Sequence, residues 1–166
     1  MALIPDEARR MIGQETMRAT GVAVKREGMR YAAAIRDSNP LYWDDAYARA
    51  IGYQAAILPP LFLQYLVKGT YNLDDLRPDG GGATSDAAGI PLPDLPRKMA
   101  GGVSWRFHAP VYDGDVIEHT RTLLDITEKE GRTGPFVLLS SRNSYRRPDG
   151  EIIAESDSTL IARPLR

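Results

Sequence analysis

The chain has 166 residues, with 21 Lys and Arg against 22 Asp and Glu, a formal net charge of -1 and no cysteine. The length fits a single domain over 1–166 with a core of useful size. Balanced charge leaves no field to gather phosphates or anionic lipid, so nucleic acid is not an expected partner, and the lack of cysteine removes disulfides, thiolate metal sites and thiol nucleophiles and agrees with a reducing cytoplasm.

The N-terminus has no basic start followed by an apolar run. The longest apolar stretch, near Ala55 to Leu63, is interrupted by Pro59 and Pro60, so neither a signal peptide nor a membrane span is expected. Pro5 to Ile12 reads as a short surface helix, with proline at a favoured first position and Asp6 and Glu7 beside the positive helix end. Thr16 to Val24 reads as a strand, Lys25 to Gly28 as a turn and Met29 to Ile35 as a second helix. That helix must stop before Pro40, because the residue preceding proline is pushed out of the helical region. Asp44 or Asp45 then caps a third helix that Gly52 ends.

The segment PPLFLQYLVKG is apolar nearly all round, which predicts a buried helix. Residues 72–97 form a long Pro/Gly-rich loop, short of large apolar anchors and expected to be mobile. The last third is β-rich in four runs, GGVSWRFHAPV, DVIEHTRTLLDITEKEG, PFVLLSSRNSYRR and EIIAESDSTLIARP, separated by turn signals at Asp113-Gly114, Gly131 to Gly134 and Pro148-Asp149-Gly150. Helices early and antiparallel strands late predict an α+β fold in which a sheet wraps a buried helix.

Acid-base chemistry has few candidates: two histidines, with carboxylates, tyrosines and lysines beside them. His108 is expected in a strand as a half-buried hydrogen-bonding residue, and His119 at the surface. Asp37, Asn39 and Pro40 fit an Asx turn between two helices as well as a site. Tyr42 and Trp43 fit packing as well as chemistry. Arg142, Arg146 and Arg147 look like a cluster at a hairpin end, either solvated or able to meet a phosphate.

The run Asp37-Ser38-Asn39-Pro40-Leu41-Tyr42-Trp43-Asp44-Asp45, with Ala48 and Gly52 following, resembles the MaoC-like hydratase and dehydratase signature G-D-x-N-P-x-H-x-D. Phe107, Pro110, Val111, Gly114 and Asp115 resemble that family's later F-x-x-P-V-x-x-G-D block. The nearer likeness is to the type I fatty-acid-synthase-like dehydratase, or MaoC N-terminal, subfamily. This resemblance implies a hotdog fold and addition or loss of water on an enoyl or 3-hydroxyacyl thioester of CoA or acyl carrier protein, without a metal or cofactor. It places Asp37 as the catalytic aspartate and Asn39 beside it, and puts Tyr42 where the family has histidine. It also places Pro60 and Leu61 at the helix start that binds the thioester carbonyl; Trp43, beside Tyr42, and Arg142, as a phosphate-binding cation, are further candidate substrate contacts. Proline has no N–H to donate, so Pro60 removes one oxyanion donor, for which Leu61 N–H is the replacement. A frame with an incomplete dyad resembles the accessory half of two-part hotdog dehydratases, which implies a homo- or hetero-oligomer with a MaoC-like subunit that carries the intact dyad. An acyl- or CoA-binding scaffold without turnover is the alternative, and a hotdog thioesterase ranks last, because PPLFLQYLVKG carries no carboxylate.

Overall fold

The computed structural model describes residues 3–68, 89–132 and 134–164. In the last third, alternation of inward and outward side chains builds β2 (Arg97–Phe107), β3 (Val116–Gly131), β4 (Gly134–Arg146) and β5 (Ile152–Arg163). With β1 (Glu15–Val22) they form one antiparallel sheet in the order β1-β3-β4-β5-β2. The turn signals lie where they were expected: Gly114, Gly134 and Gly150 have φ of 85°, 103° and 94°, the left-handed region that glycine enters without a Cβ penalty.

The helical segments are α1 (Asp6–Arg10), α2 (Lys25–Ala34), α3 (Asp45–Ala50) and α4 (Leu63–Leu66), with 3-10 turns at Pro40–Tyr42 and Pro60–Phe62. Among the described residues no helix is long and apolar enough to cross a membrane. Two of these segments correct the sequence reading. Helix α2 begins at Lys25 rather than Met29, because Asp113 Oδ1, far away in sequence, accepts the Lys25 backbone N–H at 2.7 Å and caps the helix from outside. The apolar segment is one 3-10 turn and one α-helical turn, not a helix buried on every side. Phe62, Leu63 and Val67 are buried, while Leu61 and Tyr65 are 43% and 54% exposed.

Two apolar clusters lie on the inner face of the sheet. One joins Phe62, Leu63 and Val67 to Ile117, Tyr145 and Ala154. The other joins Leu123, Val137 and Leu139 to Ile4 and Ala8, so α1 is part of the core and not a surface adornment. Ile90, Leu92 and Leu95 are buried in this same cluster. The end of the 72–97 stretch is therefore well anchored, and β2 starts at Arg97. Residues 69–88, where the rest of the expected mobile loop falls, lie outside the described residues.

His119 is the clearest correction: it is 2% exposed and stacks on Tyr145 with ring centroids 4.8 Å apart. Its position on β3 points inward, opposite Ala19 of β1 and Tyr145 of β4. Asn143 Oδ1 accepts from Arg121 Nε at 3.0 Å and lies 3.1 Å from His119 Nε2. Because an arginine nitrogen can only donate, the amide oxygen must face this side, and His119 therefore presents an N–H at Nε2.

Where α4 meets β1 there is no room to spare. A Cβ on Gly21 would sit 2.3 Å from Leu66 O and 2.5 Å from Leu66 Cδ2. Gly21→Ala is therefore expected to push α4 off the sheet and to cost about 1–3 kcal/mol, the usual range for overpacking. Urea denaturation measures this; an unchanged midpoint would show that α4 shifts at no cost.

Candidate active site

Helix α2 ends in a Schellman motif. Arg36 turns left-handed, with φ of 58°, Arg36 N–H donates to Ala33 O at 3.0 Å and Asp37 N–H donates to Ala32 O at 2.8 Å. This closure delivers Asp37 to the start of a tightly bonded loop. Asp37 Oδ1 accepts Asn39 N–H, and Asn39 Oδ1 accepts Leu41 N–H at the start of the first 3-10 turn, each at 3.0 Å. The Trp43 indole N–H reaches back to Asp37 O at 3.1 Å. Both halves of the Asx-turn reading thus hold: the loop shapes itself through the side chains of Asp37 and Asn39. Asp37, Asn39, Tyr42 and Trp43 are brought together in it.

Tyr42 is half-buried, and its phenol pKa is raised above the ordinary value, first by burial and then by the charge of Asp37 and by Tyr53. The direction matters for the chemistry. A phenol pushed further up holds its proton at neutral pH, so Tyr42 can donate a hydrogen bond beside Asp37 but cannot serve as the base that an imidazole would be.

The two acidic residues that follow are structural. Asp44 Oδ1 caps α3 by accepting Ala46 N–H at 2.7 Å and Tyr47 N–H at 3.1 Å. Asp45 Oδ1 takes Lys25 Nζ at 2.7 Å and Ala56 N–H at 2.9 Å. Leu41 O accepts Ile57 N–H at 3.1 Å, and Leu58 N–H donates to Val111 O at 2.8 Å. These contacts tie the Asp37 loop to the segment that leads into Pro59 and Pro60. Lys25 and the Ala56 N–H hold the Asp45 carboxyl below its usual range. Its folded-state pKa is depressed, so its contribution is present above the unfolded value and disappears as pH falls through the folded one. Asp45→Asn is expected to lower the melting temperature at neutral pH, with the gap to the parent closing in acid below about pH 4. Parallel melting curves across that range would show that the pair does not matter.

At the helix start, Phe62 N–H donates to Pro59 O at 2.9 Å. Pro60 has no N–H, and among the described residues Leu61 N–H has no hydrogen-bond acceptor. One backbone donor remains there. The seven residues of the turn and α4 are too few to build a strong helix dipole.

Arg142 is not part of this assembly. It lies mid-strand on β4, opposite Asp157, with Nε 2.7 Å from Asp157 Oδ1, on the outer face, whereas Pro60 and Leu61 belong to the inner side. The hairpin-end cluster therefore breaks up. Arg147 instead holds Pro110 O at 2.9 Å and Asp115 Oδ2 at 2.8 Å, and it pairs with Glu151. The Gly114-Asp115 motif is thus a clamp between the last hairpin and the entry to β3. His108 lies just beyond β2, exposed, with Nε2 3.4 Å from Glu155 Oε2. Tyr53, which follows Gly52 in the informative segment, had no role assigned from the sequence: it is half-buried and helps to raise the Tyr42 phenol.

The model of the FAS1-like dehydratase domain region matches residues 10–156. A UPF0336 protein of Parafrankia sp. is 31% identical over 142 residues, covering 84% of this chain and 83% of that protein. A probable enoyl-CoA hydratase alpha subunit of Thermomonospora curvata is 25% identical over 133 residues, which are 79% of this chain and 42% of that protein's length. Among solved structures, the ChsH1-ChsH2 complex of Mycobacterium tuberculosis matches with a TM-score of 0.78 at 19% identity, over 97% of this chain and 92% of the matched one. The HadBC (3R)-hydroxyacyl-ACP dehydratase complex of the same organism matches with a TM-score of 0.62 at 18% identity, over 87% and 94%. The sheet wrapped on a short helix is a hotdog fold, and the chain belongs to the FAS1-like dehydratase-region family of MaoC-like hotdog proteins.

Proposed function

We propose that this chain is a subunit of a MaoC-like hydro-lyase that handles an enoyl or 3-hydroxyacyl thioester of CoA or acyl carrier protein, and that it is the half without a complete Asp/His dyad. The observation that carries this reading is the Asp37 to Trp43 loop. Its own hydrogen bonds hold it, and it sets a protonated phenol, Tyr42, beside Asp37. In this reading Asp37 and Tyr42 face the acyl group, Asn39 holds the loop, Trp43 lines the site, and Pro60 and Leu61 receive the thioester carbonyl through Leu61 N–H. Arg142 is left out, since it is paired on the opposite face. The imidazole comes from a MaoC-like partner in the reducing cytoplasm; the similarity to chains solved as ChsH1-ChsH2 and HadBC complexes supports a two-part assembly.

The loss of the Pro60 donor favours a second reading, an acyl- or CoA-binding scaffold without turnover. An activity screen of enoyl-CoA and enoyl-carrier-protein substrates, with and without a MaoC-like chain carrying the intact dyad, separates the two. A hydratase subunit raises turnover of its partner or changes the accepted chain length. A scaffold binds the thioester and leaves the partner's rate unchanged.

A further inference from the structure

Between β2 and β3 the chain runs through residues 108–115, and both the Asp37 loop and the Pro60-Leu61 helix start are tied to that connection. Asp113 Oδ1 accepts the Lys25 N–H that starts α2, at 2.7 Å, while Gly114 N–H donates to Ala23 O and Ala23 N–H to Asp115 O, each at 2.8 Å. Helix α2 then delivers Asp37. On the other side Val111 O accepts Leu58 N–H at 2.8 Å, three residues before Leu61. The connection is itself held by Arg147, the residue that follows β4. One nitrogen, Nη2, donates to Pro110 O at 2.9 Å and to Asp115 Oδ2 at 2.8 Å, so a single group grips both ends of residues 110–115. The same carboxylate oxygen accepts Tyr112 N–H at 2.9 Å. We propose that Arg147 is a positioning residue, which fixes residues 110–115 and through them holds the Asp37 loop and the Leu61 N–H at a set separation. The inference rests on the hydro-lyase reading only in treating those two groups as parts of one site.

The residue type suits the role. A guanidinium presents its N–H groups in a fixed planar fork, so Nη2 serves a carbonyl and a carboxylate at once while Nη1 reaches Glu151. A lysine ammonium is a point charge on a flexible stem and fixes neither direction. Burial decides which of the three contacts counts. The Arg147 and Asp115 side chains are 18% and 20% exposed, whereas Glu151 is 49% exposed. Water screens and replaces the outer pair at little cost. Loss of the guanidinium would instead leave the Asp115 carboxylate and Pro110 O short of a donor where water reaches them poorly. Residues 110–115 must then move to regain solvent, and the bonds to Ala23, Lys25 and Leu58 move with them. Among the described residues no other side-chain hydrogen bond ties residues 110–115 to β4 or β5.

Amide hydrogen exchange and indole chemical shifts, read by NMR on the whole chain, test this. Arg147→Gln removes the charge and the fork, and it should speed exchange of the Lys25 and Leu58 N–H groups by about tenfold or more, the local opening expected when a charge-assisted bond is lost. The Trp43 indole N–H, whose bond to Asp37 O closes the Asp37 loop, should move toward the position of a free indole. The amides of Val137 and Leu139, seated in the other apolar cluster, should change by a clearly smaller factor. Glu151→Gln removes only the exposed pair and should leave all of these signals in place. Arg147→Lys keeps the charge without the fork and should fall between parent and Arg147→Gln; it takes the place of the glutamine variant if that one does not fold. Exchange that rises by one factor throughout the sheet would overturn the proposal, since that is loss of global stability alone. So would effects confined to residues 147–151, or equal effects from Glu151→Gln. Thioester chemistry plays no part in these readouts, so an inactive complex would count against the hydro-lyase reading and leave the positioning role standing.

Discussion

Tyr42→His in the isolated chain is expected to create measurable hydration of short enoyl-CoA substrates where the parent shows little or none. The loop that holds position 42 is bonded through Asp37, Asn39 and Trp43 and not through the Tyr42 side chain, so the substitution inherits a preformed geometry. It replaces a phenol whose pKa is raised by burial and by Asp37 with an imidazole that titrates near neutrality. A positioned general acid or base contributes about 10²–10⁴-fold. The gain should remain partial, since Pro60 still withholds a donor at the helix start, and the loss of one such donor costs about 10²–10³ in rate. Asp37→Asn should change little in the parent and should remove the gain in the histidine variant. The loss of enoyl-thioester absorbance measures all three. Fast turnover by the parent alone, abolished by Asp37→Asn or Tyr42→Phe, would make Tyr42 a catalytic residue and end the accessory-half reading.

Leu63→Ala is expected to give the largest loss of stability, about 2–5 kcal/mol, the range for truncating a buried leucine. Leu63 is buried in the cluster that seats α4 on Ile117, Tyr145 and Ala154. With only one turn of α4 available, the neighbouring backbone has little purchase to close the cavity, and Pro60 and Leu61 sit directly upstream. Denaturant titration gives the magnitude. A companion substitution, Leu61→Ala, at an exposed position in the same segment, should cost a small fraction of it. Equal losses at both positions would mean that the segment is not seated as described.

Much of this architecture was legible in residue order. The strands of the last third declared themselves by their β-rich runs and by Gly114, Gly134 and Gly150, because strand propensity and a turn requiring positive φ are local properties. The Asp37–Asn39–Pro40 turn and the Asp44 cap of α3 are equally local: each side chain bonds a backbone N–H two or three residues on. The absence of an imidazole at position 42 and of an N–H at position 60 are facts of composition at a place in the chain.

The tertiary structure decided what depended on partners distant in sequence. Asp113 starts α2 at Lys25, a cap no local window contains. His119 has polar neighbours in sequence and looked solvated, yet strand phase turns it inward, where Asn143 satisfies a buried polar group whose isolation would be costly. Arg142 looked like part of a cationic cluster and is neutralised by Asp157 across a strand pair. The apolar segment read as a fully buried helix, but only one side of it meets the sheet, so Tyr65 and Leu61 stay exposed. The strands and their turns were readable from residue order, as was the tyrosine at position 42, because they follow from local propensity and residue type. Burial and ion pairing were set only when strands remote in the chain came into register, since they are properties of which side chains face one another and not of their order.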